Sequence, residues 1–160
     1  VLEKIVVQDE KNIRVFFDEP LYVSGDTLNP MFFSIDRGIV CVSAKPIPPD
    51  YKSILLTLSE DLEQNLIYTL TINGLVEDCV GNMMHQGLFG EFALPNQPVS
   101  NDIIINELLF NSLESTDAPY IELYNRSDKV IDIGNLYFGV GNGDYPKSVV
   151  PMVEDGWQLF

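Results

Sequence analysis

Short runs in which every second residue is apolar, several of them closed off by proline, glycine or asparagine, recur along the whole chain. Ile13, Val15 and Phe17 alternate with Asn12, Arg14 and Phe16 before Asp18-Glu19-Pro20. Ile54, Leu56 and Leu58 alternate with Leu55 and Thr57. Tyr68, Leu70 and Ile72 alternate with Thr69 and Thr71 ahead of Asn73-Gly74, and Gly90, Phe92 and Leu94 share one parity before Pro95. Side chains of a strand point to opposite faces in turn, so this period of two specifies half-buried strands. Proline lacks a ladder donor and ends the first and last of these runs, at Pro20 and Pro95. No segment sustains an i, i+3, i+4, i+7 stripe; the nearest, Ser59 to Leu66, is long enough for one or two helical turns at most. Short strands at regular spacing must stack their apolar faces on one another, so the chain is expected to be all-β and built of β-sandwiches.

One stretch interrupts the pattern. Pro95-Asn96-Gln97-Pro98-Val99-Ser100-Asn101 places two prolines among polar residues and reads as a stiff, extended connector. Strands resume with Ile103-Ile104-Ile105 and with Tyr120 to Tyr124, where Ile121 and Leu123 share one face and Glu122 the other. The division that follows is a first domain over 1–95, a linker over 96–101 and a second domain over 102–160. The 160 residues suffice for two small domains.

Charge narrows the partners. Nine Lys and Arg face 24 Asp and Glu, a net −15, of which −8 lies before Val99 and −7 from it onward. Acidity spread over both halves repels phosphate backbones and anionic lipid, so neither nucleic acid nor a membrane surface is an expected partner. No run of about 18 apolar residues exists, and no membrane insertion is expected. The acidity serves solubility; it also suggests weak Ca²⁺ binding by clustered carboxylates, with no other cofactor expected and the metal ligands left open. Cys41 and Cys79, with 37 residues between them, match no zinc or redox spacing and are expected to be free, partly buried thiols rather than a disulfide.

The first half resembles bacterial Ig-like domains of the surface-layer type. The resemblance rests on Ile13-Arg14-Val15-Phe16-Phe17-Asp18-Glu19-Pro20-Leu21, on Ile54-Leu55-Leu56-Thr57-Leu58 and Leu62, and on Tyr68-Thr69-Leu70-Thr71-Ile72-Asn73-Gly74-Leu75 followed by Glu77-Asp78 and Gly81-Asn82. In that last turn Gly81-Asn82 tolerates left-handed backbone angles and Asp78 can accept backbone N–H bonds. Cys79 stands where the pattern usually has another residue. The second half resembles the lamin-tail domain, another Ig-like sandwich, through Ile104-Ile105-Asn106-Glu107-Leu108-Leu109, Tyr120-Ile121-Glu122-Leu123-Tyr124-Asn125-Arg126-Ser127 and Val130-Ile131-Asp132-Ile133-Gly134-Asn135-Leu136. The resemblance implies that Ile121 and Leu123 meet a core and Glu122 the solvent. It also implies further strands beyond Trp157-Gln158-Leu159-Phe160, so a fragment of a longer protein is expected, with an open sheet edge able to pair with another strand.

Residues that carry chemistry are sparse. His85 is the only histidine and reads as a loop residue beside Met83 and Met84 rather than half of a Cys–His dyad with Cys41 or Cys79. Glu107 and Glu122 can be read as an acid and base pair, but strand-end and cross-strand hydrogen bonding explains them better. Glu60, Asp61 and Glu63 lack EF-hand spacing and suit a solvated loop or short helical turn. Gly139 to Asp144 lacks the lysine and helix of a phosphate loop and reads as a hairpin turn. Asn125-Arg126-Ser127 matches a glycosylation sequon by pattern alone. Phe16, Tyr22, Tyr51 and Tyr145 are candidate exposed aromatics for sugar stacking or burial against a neighbouring domain. No catalytic or cofactor-binding residue is assigned, and the chain is not expected to be an enzyme. It is expected to act as a spacer and adhesion or docking unit of a secreted or cell-surface bacterial protein, with neighbouring domains of the parent protein as partners. The alternatives are a carbohydrate- or peptide-binding module, or accessory domains of a larger extracellular hydrolase.

Overall fold

The computed structural model describes residues 1–23, 28–73, 77–83, 87–109, 119–142, 145–153 and 157–160. The described residues form strands and three single-turn 3-10 helices, with no α-helix among them. Ser59 to Leu66 contains no helical turn; Asn65 instead takes a left-handed φ of 62°.

Seven strands make the first unit: β1 (Leu2–Val7), β2 (Asn12–Phe17), β3 (Phe33–Ile35), β4 (Cys41–Pro46), β5 (Ser53–Leu58), β6 (Ile67–Ile72) and β7 (Leu88–Ala93). Antiparallel pairing gives one sheet in the order β1-β2-β5-β4 and another in the order β3-β6-β7. This four-and-three arrangement is that of an immunoglobulin-type sandwich. Alternation decides the inner faces. Ile13 pairs with Leu56 and Val15 with Ile54, and all four are fully buried. Phe33, Ile35, Leu70, Ile72 and Phe92 oppose them from the second sheet, and Tyr68 stacks on Phe92 at 5.7 Å between ring centroids. The Tyr68 hydroxyl accepts the Glu63 backbone N–H at 2.8 Å. A tyrosine near the start of the sixth strand that binds backbone a few residues upstream pins the corner between the two sheets.

The remaining strands are β8 (Ile103–Leu109), β9 (Tyr120–Asn125), β10 (Ile131–Asp132), β11 (Tyr137–Asn142), β12 (Tyr145–Pro151) and β13 (Gln158–Leu159). They pair antiparallel as β8-β9, β10-β13 and β11-β12. Gly141 sits at a register shift of the last pair. The turn read between Gly139 and Asp144 joins these two strands, and its residues 143 and 144 lie outside the described residues.

The connector departs from the extended form expected of it. Leu94 bridges to Gln64 on one side and Asn96 to Ile131 on the other, both in parallel sense. Val99 to Asp102 then closes a turn, with the Asp102 N–H donating to the Val99 carbonyl at 3.1 Å and Asn101 at φ 74°. Prolines restrict local angles, but the Asp102 carboxylate, which accepts the Val99 N–H at 2.9 Å, bends the chain after them.

Candidate interaction surfaces

The β8-β9 ribbon is two-sided. Cross-strand partners share a face, and the register pairs Ile105 with Leu123 and Leu108 with Ile121, while Glu107 meets Glu122 and Leu109 meets Tyr120. A bulge at Asn106 keeps the two sets apart. One face is therefore aliphatic and the other carries carboxylates and tyrosines. Asn106 donates to Glu122 at 2.7 Å, and the Tyr120 phenol is held above its ordinary pKa, first by its hydrogen bond to Glu107. Glu107 and Glu122 thus lie side by side on an exposed ribbon, engaged by neighbouring side chains.

The aliphatic face is open. Ile105 is 49% exposed, Leu108 42% and Ile121 39%, whereas Leu123 is half-buried. Ile121 was expected in a core; the described residues contribute no second layer over it. Tyr22, Tyr51 and Tyr145 are exposed as expected. Phe16 is not: it is half-buried between Lys4 and Arg14, whose cations lie 5.2 and 4.7 Å from its ring centroid.

Asn125 does not present a sequon. It is buried, its Nδ2 donates to the Lys129 carbonyl at 2.6 Å and the Leu159 carbonyl at 3.3 Å, and its Oδ1 accepts from Ser127. Its amide nitrogen is spent on holding the β9-to-β10 turn.

Asp78 organises the far end of the sandwich. Its carboxylate accepts the Val80 N–H at 2.9 Å, the Asn82 N–H at 2.8 Å and the Asn82 side-chain amide at 2.8 Å, around Gly81 at φ 86°. Beside this turn lies a cleft of about 230 Å³ lined by Phe17, Leu21, Met83 and Leu88 with Asp18 and Glu19. Among the described residues no three His, Cys, Asp or Glu side chains converge as a metal cage would require. Glu60, Asp61 and Glu63 are exposed loop residues, and His85 lies outside the described residues.

A family model for the bacterial Ig-like domain matches residues 3–92, more than half of the chain and the whole of the four-and-three sandwich but for its first and last residue. The chain belongs to the bacterial Ig-like domain family. Solved structures carry the same fold: the S-layer protein rSbsC(31-844) matches at 23% identity and a TM-score of 0.52, over 66% of this chain and 15% of that one. The surface layer protein SbsC, domains 1-6, matches at 23% identity and a TM-score of 0.51 over the same shares. This chain thus spans about 15% of the length of those relatives. No curated protein matches it.

Within the bacterial Ig-like domain the two cysteines differ. Cys41 is buried on β4, where its thiol donates to the Ser43 carbonyl at 3.2 Å, and burial pushes its pKa up. Cys79, expected to be partly buried, is exposed in the Asp78 turn. Thiolate and access together set reactivity. Aromatic disulfide reagents should therefore titrate one thiol in the folded protein and two after denaturation. Equal native rates for both would contradict the burial of Cys41.

The Asp78 turn gives the bacterial Ig-like domain an acid-sensitive end. Hydrogen bonds from Asn82, side chain first, hold the Asp78 carboxyl below its ordinary 3.8. A depressed carboxyl binds fewer protons folded than unfolded, so its contribution is complete above the unfolded value and is lost as pH falls through the folded one. Denaturant midpoints should decline as pH drops from about 5 towards 3, and less steeply in Asp78→Asn. Equal slopes for the two proteins would remove Asp78 from the acid response.

Gln158 and Asn96 carry hydrogen bonds between the bacterial Ig-like domain and the strands after it, and the sequence marks neither. Nothing in a lone glutamine or asparagine marks it as a backbone partner. The one available signal was position, since Asn96 stands between the two prolines of the connector.

Proposed function

We propose that this chain is a non-catalytic structural and interaction module of a secreted or cell-surface bacterial protein. In this reading residues 1–95 are a spacer and residues 102–160 a lamin-tail-type sandwich, joined through 96–101, that docks a neighbouring domain of the same parent. The two-sided β8-β9 ribbon carries the proposal. A two-stranded ribbon is marginal in water unless its apolar face is covered. Ile105, Leu108 and Ile121 lie open on a face whose paired residues are uncharged, while Glu107 and Glu122 point the other way. Such a face suits an apolar sheet layer from a domain of the same protein. The likeness to modules that occupy a small share of S-layer chains supports a surface setting and a role as one unit among several.

The test supplies an apolar layer in trans. The polypeptide that flanks this chain in its parent is purified separately and titrated against it by calorimetry. Binding that weakens by roughly ten-fold or more in Leu108→Asp is the expected result. Absent binding, or binding indifferent to the substitution, overturns the docking role. Turnover of simple ester, phosphate or glycoside substrates above buffer background overturns the non-catalytic role. Carbohydrate recognition is the second reading, favoured by Tyr145 at 82% exposure. A glycan-array signal abolished by Tyr145→Ala would promote it.

A further inference from the structure

Ala93 ends β7 and is fully buried. One edge of β7 is taken by β6, where Ala93 stands opposite Ile67. On the outer edge no strand is paired with it among the described residues. Both backbone groups of Ala93 are nevertheless satisfied. Its N–H donates to Gln158 Oε1 at 3.0 Å, and its carbonyl accepts from Gln158 Nε2 at 2.6 Å. A carboxamide has one acceptor and one donor set side by side, which is what a neighbouring strand residue would offer.

Gln158 is itself held from behind. Its backbone lies in β13, in register with Asp132 of β10. The Trp157 carbonyl accepts from the Ile133 N–H at 2.8 Å, and the Leu159 carbonyl accepts from Asn125 at 3.3 Å. The connector makes a second attachment. The Asn96 N–H donates to the Val130 carbonyl at 2.7 Å, and the Asn96 side chain donates to Asn65 of the sandwich at 3.0 Å. Val130 and Ile131 beside it are buried at 5% and 0% exposure. One attachment alone would leave a swivel about the connector; two, at Asn96 and at Gln158, leave none.

We infer that Gln158 is an interdomain latch: its side chain completes the outer edge of β7 and fixes the angle between the Ig-like sandwich and the β10-β13 region, so that the two move as a single strut. The inference goes beyond the docking role and depends only on the junction. Removing the carboxamide frees the Ala93 backbone and leaves the connector as a hinge.

The experiment is backbone ¹⁵N relaxation with amide hydrogen exchange on the whole chain, comparing the parent sequence with Gln158→Leu and Gln158→Asn. The asparagine keeps the amide on a stem one methylene shorter and guards against loss of fold in the leucine protein. In the unsubstituted chain β1–β7 and β10-β13 should share one correlation time, and the Ala93 amide should be protected. In both variants the Ala93 amide should exchange at least about ten-fold faster and the two regions should tumble with different correlation times, while amide shifts within β10 stay dispersed. Separate tumbling in the unsubstituted chain overturns the latch. So does unchanged Ala93 exchange in Gln158→Asn, where the shorter side chain cannot span the gap.

Discussion

Tyr68→Ala should cost the Ig-like sandwich about 3–5 kcal/mol, the range for truncating a buried aromatic side chain. Two losses combine. The ring is buried to 2% exposure and stacks on Phe92, so its removal empties the centre of the second sheet's inner face. The hydroxyl bond to Glu63 goes with it, and the corner leading into β6 loses its tie. A domain of this size has roughly 5–15 kcal/mol in total, and each kcal/mol shifts Tm by about 4–8 °C. The variant should therefore melt at least about 12 °C lower, or fail to accumulate folded. Tyr68→Phe isolates the hydroxyl and should cost about 0.5–1.5 kcal/mol, the net worth of one hydrogen bond. Denaturant titration of both proteins measures the difference. Equal costs would mean that the corner, and not the core, depends on Tyr68.

Gly141→Ala is the second large effect, confined to the β11-β12 hairpin. A Cβ built at Gly141 would lie 2.6 Å from the Tyr145 carbonyl oxygen and 2.8 Å from the Pro146 Cα. Both are backbone atoms of the facing strand, so no side-chain rotation relieves the contact. The strands must separate or shift register at the bulge, at a cost of about 1–3 kcal/mol or more. A two-stranded hairpin has little reserve against that. Hydrogen exchange should show β11 and β12 amides losing protection while those of β1–β7 keep theirs. Gly139→Ala is the control: its nearest contact is the Pro146 Cβ at 3.1 Å, with the next atom at 3.7 Å, and it should be much milder. Equal protection in the two variants would mean that the hairpin tolerates strand separation.

The sandwich was legible because its strands are buried on one face only. Ile13, Val15, Phe17, Ile54, Leu56, Leu58, Tyr68, Leu70 and Ile72 all carry the period of two, and all are buried. The Asp78-to-Asn82 turn was legible for a similar reason, since an aspartate ahead of glycine and asparagine has few other local uses. Ile121 was not legible in the same way. Alternation assigns residues to one side of a strand without saying whether anything lies over that side. Asn125 and Gln158 show a second limit. A polar side chain becomes structural when the fold brings it to unsatisfied backbone, and the Gln158 contact spans 65 positions. Phe16 failed for a third reason: the cationic stems that cover it come from its own strand and from β1, a neighbour that alternation does not name.

The span between Ala93 and Gln158 has a consequence for biosynthesis. The seven strands of the sandwich are complete once Ala93 has left the ribosome, but the group that caps the outer edge of β7 does not emerge until 65 residues later. At a translation rate of roughly 5–20 residues per second, that delay is about 3–13 s. During it a nascent, already folded sandwich displays a strand edge that another nascent chain on the same message could pair with.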